Sequence, residues 1–157
     1  MTENAMTDFA ARMLRVRWLV RAPIALYRAG LGWMLGSRFV MIEHQGRSTG
    51  EARFVVVEVI DRDRNAIRVA SGFGTHAQWY RNLQANGVAY LSTGRARRVK
   101  AGVNLLDEAE SRAVLARYAA AHPDAWATLE PVMGELSEES YPSVVEFVPP
   151  EGWRSRA

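Results

Sequence analysis

The spacing of apolar residues changes character at Arg38. Before it, Leu14, Trp18 and Leu19 stand against Arg12 and Arg15 in a helical stripe, and Pro23 suits the first turn of a second helix. The pattern therefore predicts helices over Thr7 to Val20 and Pro23 to Leu35. The first stripe has two readings, packing on the domain or lying on an anionic bilayer. After Arg38 the runs become short, β-branched and aromatic. Phe39 to His44 and Phe54 to Ile60 read as strands joined across Gly46-Arg47-Ser48-Thr49-Gly50. The second run is apolar on both faces, so Glu58 stands out among its valines. It either pairs with an arginine or lines a cavity.

A third strand, Ala66 to Ala70, ends in Ser71-Gly72-Phe73-Gly74, and a helix follows at once. Thr75 and Gln78 have capping-box spacing. Strand, glycine turn and helix N-terminus together suit an anion such as a phosphate. The alternative is a plain strand-to-helix connection with Trp79 in the core. Asn86-Gly87 stops the helix, Val88 to Ser92 and Arg95 to Leu105 are further strands, and the last has one apolar and one wet face. Asp107 and Glu110 cap a helix running to about Ala121 and stopped near Pro123. Asp124 starts a shorter helix through Trp126 and Leu129, Glu135 to Tyr141 is a polar connection, and Ser143 to Val148 is a closing strand.

Strands in hairpin-like order with one helix between the third and fourth predict an α+β fold. The expected architecture is an antiparallel barrel of about six strands, with N-terminal helices and one or two helices before the last strand. A doubly wound parallel sheet would need a helix after nearly every strand. We expect a single domain over 1–157, with a helical segment at 1–37 and the barrel at 38–150.

Composition narrows the chemistry. The 157 residues, 48% hydrophobic and 24% charged, are ordinary for a soluble domain. With no cysteine, disulfides, thiolate metal sites and cysteine nucleophiles are excluded, and a reducing cytoplasm is compatible. His44, His76 and His122 are far apart, so no metal site is expected. No apolar run approaches the roughly 20 residues of a membrane span, and Glu3 and Asp8 argue against a signal peptide. Lys100 is the only lysine beside nineteen arginines. A GC-rich genome accounts for such a bias, yet arginine also favours bidentate contacts to phosphate and carboxylate.

Gly46 to Gly50 matches the Gly-x-Ser-x-Gly elbow of serine hydrolases, but that motif requires a strand leading into a helix and here a strand follows. Read as a tight turn, the same residues group flexible glycines, two hydroxyls and Arg47, with Arg53 nearby, as a phosphate would need. An exposed hairpin turn is the plainer alternative. Arg95, Arg97, Arg98 and Lys100 form the densest basic cluster, a solvated strand face in a chain with no nucleic-acid recognition motif.

The ordered set Gly46, Arg47, Thr49, Gly50, then Ala70, Ser71, Gly72, Gly74, then Trp79, Tyr80, Asn82, Leu83 resembles the deazaflavin-dependent nitroreductases and quinone reductases. These are split β-barrel oxidoreductases that use reduced coenzyme F420. The likeness covers about Phe39 to Leu105, and the helix carrying Leu26-Tyr27-Arg28 is also similar. The resemblance implies that Arg47, Ser48, Thr49 and Arg53 hold the phosphate end of the coenzyme. Ser71, Gly72, Phe73 and Gly74 would offer backbone N–H groups to its ring, and Trp79, Tyr80 and Asn82 would wall the site. It implies a quinone or nitroaromatic acceptor, with Ser71, Tyr80 and Tyr141 as candidate catalytic proton donors. FMN is the alternative cofactor, and lipid or fatty acid the alternative ligand. Ser48 and Gly72-Phe73 stand where many relatives carry lysines, which removes cations from the expected cradle. A cytoplasmic protein is expected, with peripheral contact of the N-terminal helix on the cytoplasmic membrane face and a homodimer as open questions.

Overall fold

The computed structural model describes residues 22–72, 74–136 and 142–153; the expected helix over Thr7 to Val20, together with Phe73 and Tyr141, lies outside the described residues. Residues 22–28 form helix α1, which ends well before Leu35. Gly30 takes φ +78°, its N–H donates to the Tyr27 carbonyl (3.1 Å), and the Leu31 N–H donates to the Leu26 carbonyl (2.9 Å). Those paired bonds close a helix on a left-handed residue, a conformation glycine adopts at little cost. The remainder winds into a separate 3₁₀ turn, Gly32–Leu35. Apolar periodicity runs through both pieces; the glycines divide them.

Six strands follow: β1 (Phe39–Gln45), β2 (Ala52–Arg62), β3 (Ile67–Ser71), β4 (Val88–Thr93), β5 (Ala96–Leu105) and β6 (Ser143–Val148). They form the expected closed antiparallel barrel in the order β1-β2-β3-β6-β5-β4, with β4 returning to pair with β1. The two-residue period decides what lies inside. Val40 and Ile42 of β1, Ile67 and Val69 of β3, and Val145 and Phe147 of β6 are all at 0% exposure and meet in the barrel core. On transfer scales each such side chain contributes roughly 1.5–3 kcal/mol. The expected two-faced burial of β2 is present: Val55, Val57 and Val59 pack on that core, while Ile60 faces a second apolar cluster.

Helix α2 (Gln78–Asn86) joins β3 to β4 and is stopped by Gly87, as expected. Its start is different. A 3₁₀ turn, Gly74–His76, precedes it, Ala77 is the N-cap, and no side chain caps the helix. The expected Thr75–Gln78 box does not form, because the Gln78 side-chain oxygen accepts from Arg47 instead (2.9 Å). Helix α3 (Glu108–Ala121) carries its expected box: Glu110 N–H donates to Asp107 Oδ1 (2.8 Å), and Asp107 N–H to Glu110 Oε2 (3.0 Å). Helix α4 (Pro123–Leu136) is longer than its sequence signal. Pro123 opens it rather than only closing α3, since a first-turn proline has no N–H to lose. Helix α3 covers the outer face of β2 and β6, where Val114, Leu115 and Tyr118 meet Ile60 and Val144, and Ala125 and Trp126 of α4 pack against that cluster.

Two electrostatic ties link neighbouring elements, one of them reaching α3. Glu58 takes the paired alternative, accepting from Arg38 Nε (3.2 Å) and the Tyr118 hydroxyl (3.4 Å). Arg68, only 15% exposed, binds Asp61 (2.8 Å), Asp63 (2.9 Å) and Glu146 (2.8 Å), joining β2, the β2–β3 turn and β6 through β3. Among the described residues no helix is long and apolar enough to cross a membrane.

Candidate functional site

At the end of β1 the chain reverses in Gly46 to Gly50. Gly46 N–H donates to the Glu51 carbonyl and Gly50 N–H to the Gly46 carbonyl, both at 2.8 Å. The Thr49 hydroxyl accepts from Glu51 N–H (3.3 Å), which tightens the turn further. Arg47 cannot swing freely from it. Its backbone N–H (3.1 Å) and Nη1 (2.9 Å) both donate to Asn82 Oδ1, and Nη2 donates to Gln78 Oε1 (2.9 Å). One face of α2 thus fixes the guanidinium.

Behind Asn82 lies His44, which sequence reading missed. Asn82 is 3% and His44 5% exposed, and Asn82 Nδ2 lies 3.1 Å from His44 Nδ1. Because Oδ1 already accepts from Arg47, the amide nitrogen must face the histidine, so Nδ1 accepts and the ring proton sits on Nε2. Burial, and secondarily the Arg53 charge, lower the His44 pKa from 6.5 to about 4, which keeps the imidazole neutral. The signal was present in the sequence: His44 follows Val40 and Ile42 at the inward-facing period of β1.

These groups border a cavity of about 190 Å³ lined by Gly46, Arg47, Ser48, Thr49, Arg53, Gln78 and Asn82. The lining has two guanidiniums, two hydroxyls and two amides, and no carboxylate. Glu51 approaches Arg53 only to 3.9 Å, with both side chains largely exposed. Gly46 is required by the cradle itself: a Cβ there would come within 2.8 Å of Thr49 Oγ1 and 3.0 Å of Arg53 Nε. The donor set fits an anionic group of phosphate size.

The second glycine turn is reached through α2 but does not line this cavity. Ser71 is fully buried and its hydroxyl donates to the Gly74 carbonyl (2.7 Å), closing the turn on itself. A Cβ at Gly72 would meet nothing within 4 Å, so that side of the turn faces open space. Trp79 is half-buried against the barrel core and meets Tyr80 edge-on (6.4 Å, 71°), while Tyr80 is buried. Of the expected site residues, Arg47, Ser48, Thr49, Arg53 and Asn82 therefore come together, joined by Gln78. Ser71, Gly72, Gly74, Trp79 and Tyr80 form a separate group along the start of α2.

A closed six-stranded antiparallel barrel with helices between β3 and β4 and before β6 is the split β-barrel architecture. Solved structures share it. One described as a domain-swapped dimer aligns at a TM-score of 0.56 and 18% identity, over 90% of this chain and 98% of that one. An F420-H2 dependent reductase (FDR-A) aligns at 0.51 and 17%, over 70% and 93%. A putative pyridoxamine 5'-phosphate oxidase from Listeria innocua aligns at 0.52 and 10%, over 80% and 94%. These likenesses concern the fold. No curated protein matches the sequence significantly.

The sequence itself matches the family described as F420H(2)-dependent quinone reductase over residues 19–128, and the chain belongs to that family. It is an F420H2-dependent oxidoreductase, with coenzyme F420 as its cofactor.

Proposed function

We propose that the Arg47 cavity is where this oxidoreductase grips the phosphate end of its coenzyme, and that the electron acceptor is a quinone or a nitroaromatic compound. The observation that carries the first part is the immobilised guanidinium of Arg47, which borders a cavity whose lining holds no carboxylate. Arg53 adds the second charge, and Ser48 and Thr49 add hydroxyl donors. When bound, reduced F420 supplies a hydride.

The protein's own part is orientation and polarity. Gly72, beside open space, lets the ring approach the backbone, and Trp79 with Tyr80 forms the adjoining wall. Reduction of a quinone to its hydroquinone takes one hydride and one proton. Ser71 has its proton engaged by Gly74, so its role in this reading is to hold the turn rather than to donate. Tyr80 and Tyr141 remain the candidate proton donors. A cytoplasmic location, a homodimer and peripheral membrane contact by the N-terminal helix belong to the same proposal.

Titration of reduced F420 into purified protein, followed by coenzyme fluorescence, tests the assignment. The wild-type chain should bind saturably at micromolar coenzyme. Arg47→Ala, still folded by circular dichroism, should bind at least tenfold more weakly through loss of a charge-assisted contact worth about 1.5–3 kcal/mol. Unchanged affinity in the folded variant refutes the phosphate assignment, and a yellow preparation absorbing as FMN refutes the F420 reading of the cavity.

A further inference from the structure

Strand β5 breaks its own alternation. Leu105, Val103, Ala101 and Val99 pack on the barrel core, and an unbroken period of two would drive Arg97 into that core next. Instead Leu91 pairs with Val99 but Thr93 with Ala96, so Arg97 and Arg98 together oppose the single residue Ser92 of β4. Arg98 takes φ +49°, the only left-handed residue other than glycine among the described residues. This β-bulge gives the core Ala96 in place of Arg97 and leaves both arginines exposed. Strained bulges of this kind gather beside binding sites, because they re-aim a side chain. The two arginines are used differently. Arg98 is neutralised by Glu43 through bonds of 2.9 and 3.0 Å and lies over the Tyr90 ring. Arg97 makes no ion pair among the described residues, and neither does Arg95 at the adjoining turn.

Arg97 reaches a prepared space. Its guanidinium lies across Gly30, where a Cβ would approach it to 3.1 Å, and both border a cavity of about 390 Å³ between the α1–β1 connection and the β4–β5 turn. A cavity of that volume suits a small organic molecule. Its wall is anchored: Gly32 is buried where a Cβ would collide with the Tyr27 ring, and the Tyr27 hydroxyl donates to the Phe39 carbonyl (3.1 Å). Trp33 lines the cavity with its side chain 58% exposed, and Arg95 adds a second guanidinium. Ser92 lines it from within the fold, only 8% exposed. The Ser92 oxygen accepts from Arg98 N–H (3.0 Å), which leaves its hydroxyl proton for another acceptor. The lining therefore combines two cations, a buried donor and an open aromatic face, and it holds no carboxylate.

We infer that this cavity is a second ligand site, built for a small planar aromatic carboxylate, with Arg95 and Arg97 taking the carboxylate and Trp33 lying against the ring. A guanidinium meets a carboxylate through parallel bonds, and an exposed indole offers its face to another ring. Neither a bare anion nor a neutral ring would use the whole lining. The site is distinct from the Arg47 cavity. The Thr93 hydroxyl donates to the Phe39 carbonyl (2.7 Å) and Gly94 N–H to the Gly36 carbonyl (3.0 Å), which sets the new cavity beside the start of β1. Arg47 follows the far end of that seven-residue strand, roughly 20 Å along it. The two sites can therefore be filled together.

The test is calorimetric titration of the full chain with 2-naphthoate, with neutral 2-naphthamide and inorganic phosphate as controls. 2-Naphthoate should bind at one molecule per chain with a Kd below about 1 mM, and about tenfold or more tighter than either control. Arg95→Gln with Arg97→Gln should weaken 2-naphthoate about tenfold, and Trp33→Ala about fivefold. These side chains are exposed, so both variants should keep the wild-type circular dichroism spectrum and the wild-type F420 affinity. Failure here is thereby separable from failure of the coenzyme assignment. Arg47→Ala should bind 2-naphthoate as the wild-type chain does. Equal binding of acid and amide, phosphate binding as tight as 2-naphthoate, no saturable binding, or unchanged binding in either variant overturns the inference. So does loss of 2-naphthoate binding in Arg47→Ala, which would place the probe in the coenzyme cavity.

Discussion

Replacing His44 with leucine removes the acceptor that holds the Asn82 amide in one orientation, and with it one support of Arg47. The Asn82 amide N–H now facing His44 Nδ1 would be left buried without a partner, at a cost of about 1–3 kcal/mol in stability at pH 7. Acid should produce a related loss in the wild-type chain. His44 takes up its proton near 6.5 when unfolded but only near 4 when folded, so the unfolded state binds more protons between those values. The His44 contribution to stability is complete above pH 6.5 and falls as pH drops towards 4, by up to about 3 kcal/mol at about 1.36 kcal/mol per pH unit. Protonated Nδ1 would also oppose the Asn82 amide donor and stand near the Arg53 charge.

Urea unfolding at pH 7 and pH 5, followed by tryptophan fluorescence, separates the two effects. His44→Leu should be less stable than wild type at pH 7 and should lose the part of the acid sensitivity that His44 supplies. His44→Gln, which retains an acceptor, should recover most of the pH 7 stability and remain insensitive to acid over the same window. In coenzyme titrations the leucine variant should bind about ten- to a hundredfold more weakly, the equivalent of one misplaced charge-assisted bond from Arg47. A leucine variant with wild-type acid sensitivity, or with wild-type coenzyme affinity, would show that the His44–Asn82 contact does not govern Arg47.

Trp79→Ala should weaken coenzyme binding while the barrel stays folded, since the ring is only half-buried; full affinity in a folded variant excludes it from the site wall. Ser71→Ala should cost about 1–3 kcal/mol by orphaning the Gly74 carbonyl, yet leave turnover at saturating coenzyme within a few-fold of wild type. A hundredfold fall in turnover without loss of affinity would instead make Ser71 a proton donor. Gly32→Ala should destabilise by more than about 2 kcal/mol, because the new methyl group would displace the buried Tyr27 ring. Gly36→Ala, with nothing within 4 Å but with φ +63° and ψ −153°, a region open essentially to glycine alone, should cost about 1–3 kcal/mol through backbone strain rather than collision. A Gly32→Ala variant with the wild-type urea midpoint would contradict the packing described for the α1–β1 connection.

Much of this molecule is local in origin, and that part was legible in the residue order. Alternation in Phe39 to His44 and Val99 to Leu105 specifies which side chains face inward, because strand geometry has a fixed period of two. Gly87 ends α2 and the Asp107–Glu110 pair starts α3 through contacts no more than a few residues apart. The ordered glycine, arginine and Trp-Tyr-x-Asn-Leu motifs marked the family and brought Arg47, Thr49, Arg53 and Asn82 under suspicion together.

Long-range competition decided the rest. Gln78 had a satisfactory local partner in the capping-box geometry, but Arg47, 31 positions away, offers it a charge-assisted bond that the neutral cap cannot match. His44 looked like one of three scattered histidines until barrel closure placed Asn82, 38 positions on, against its ring. Arg95 and Arg97 were indistinguishable from Arg98 in a basic run, and only the β1–β4–β5 pairing gives Glu43 to Arg98 and leaves the other two beside Trp33. Sequence by itself determined the periods, the stops and the kinds of donor available. Which donor meets which acceptor depends on distances set when the barrel closes, and those distances exist only in the folded chain.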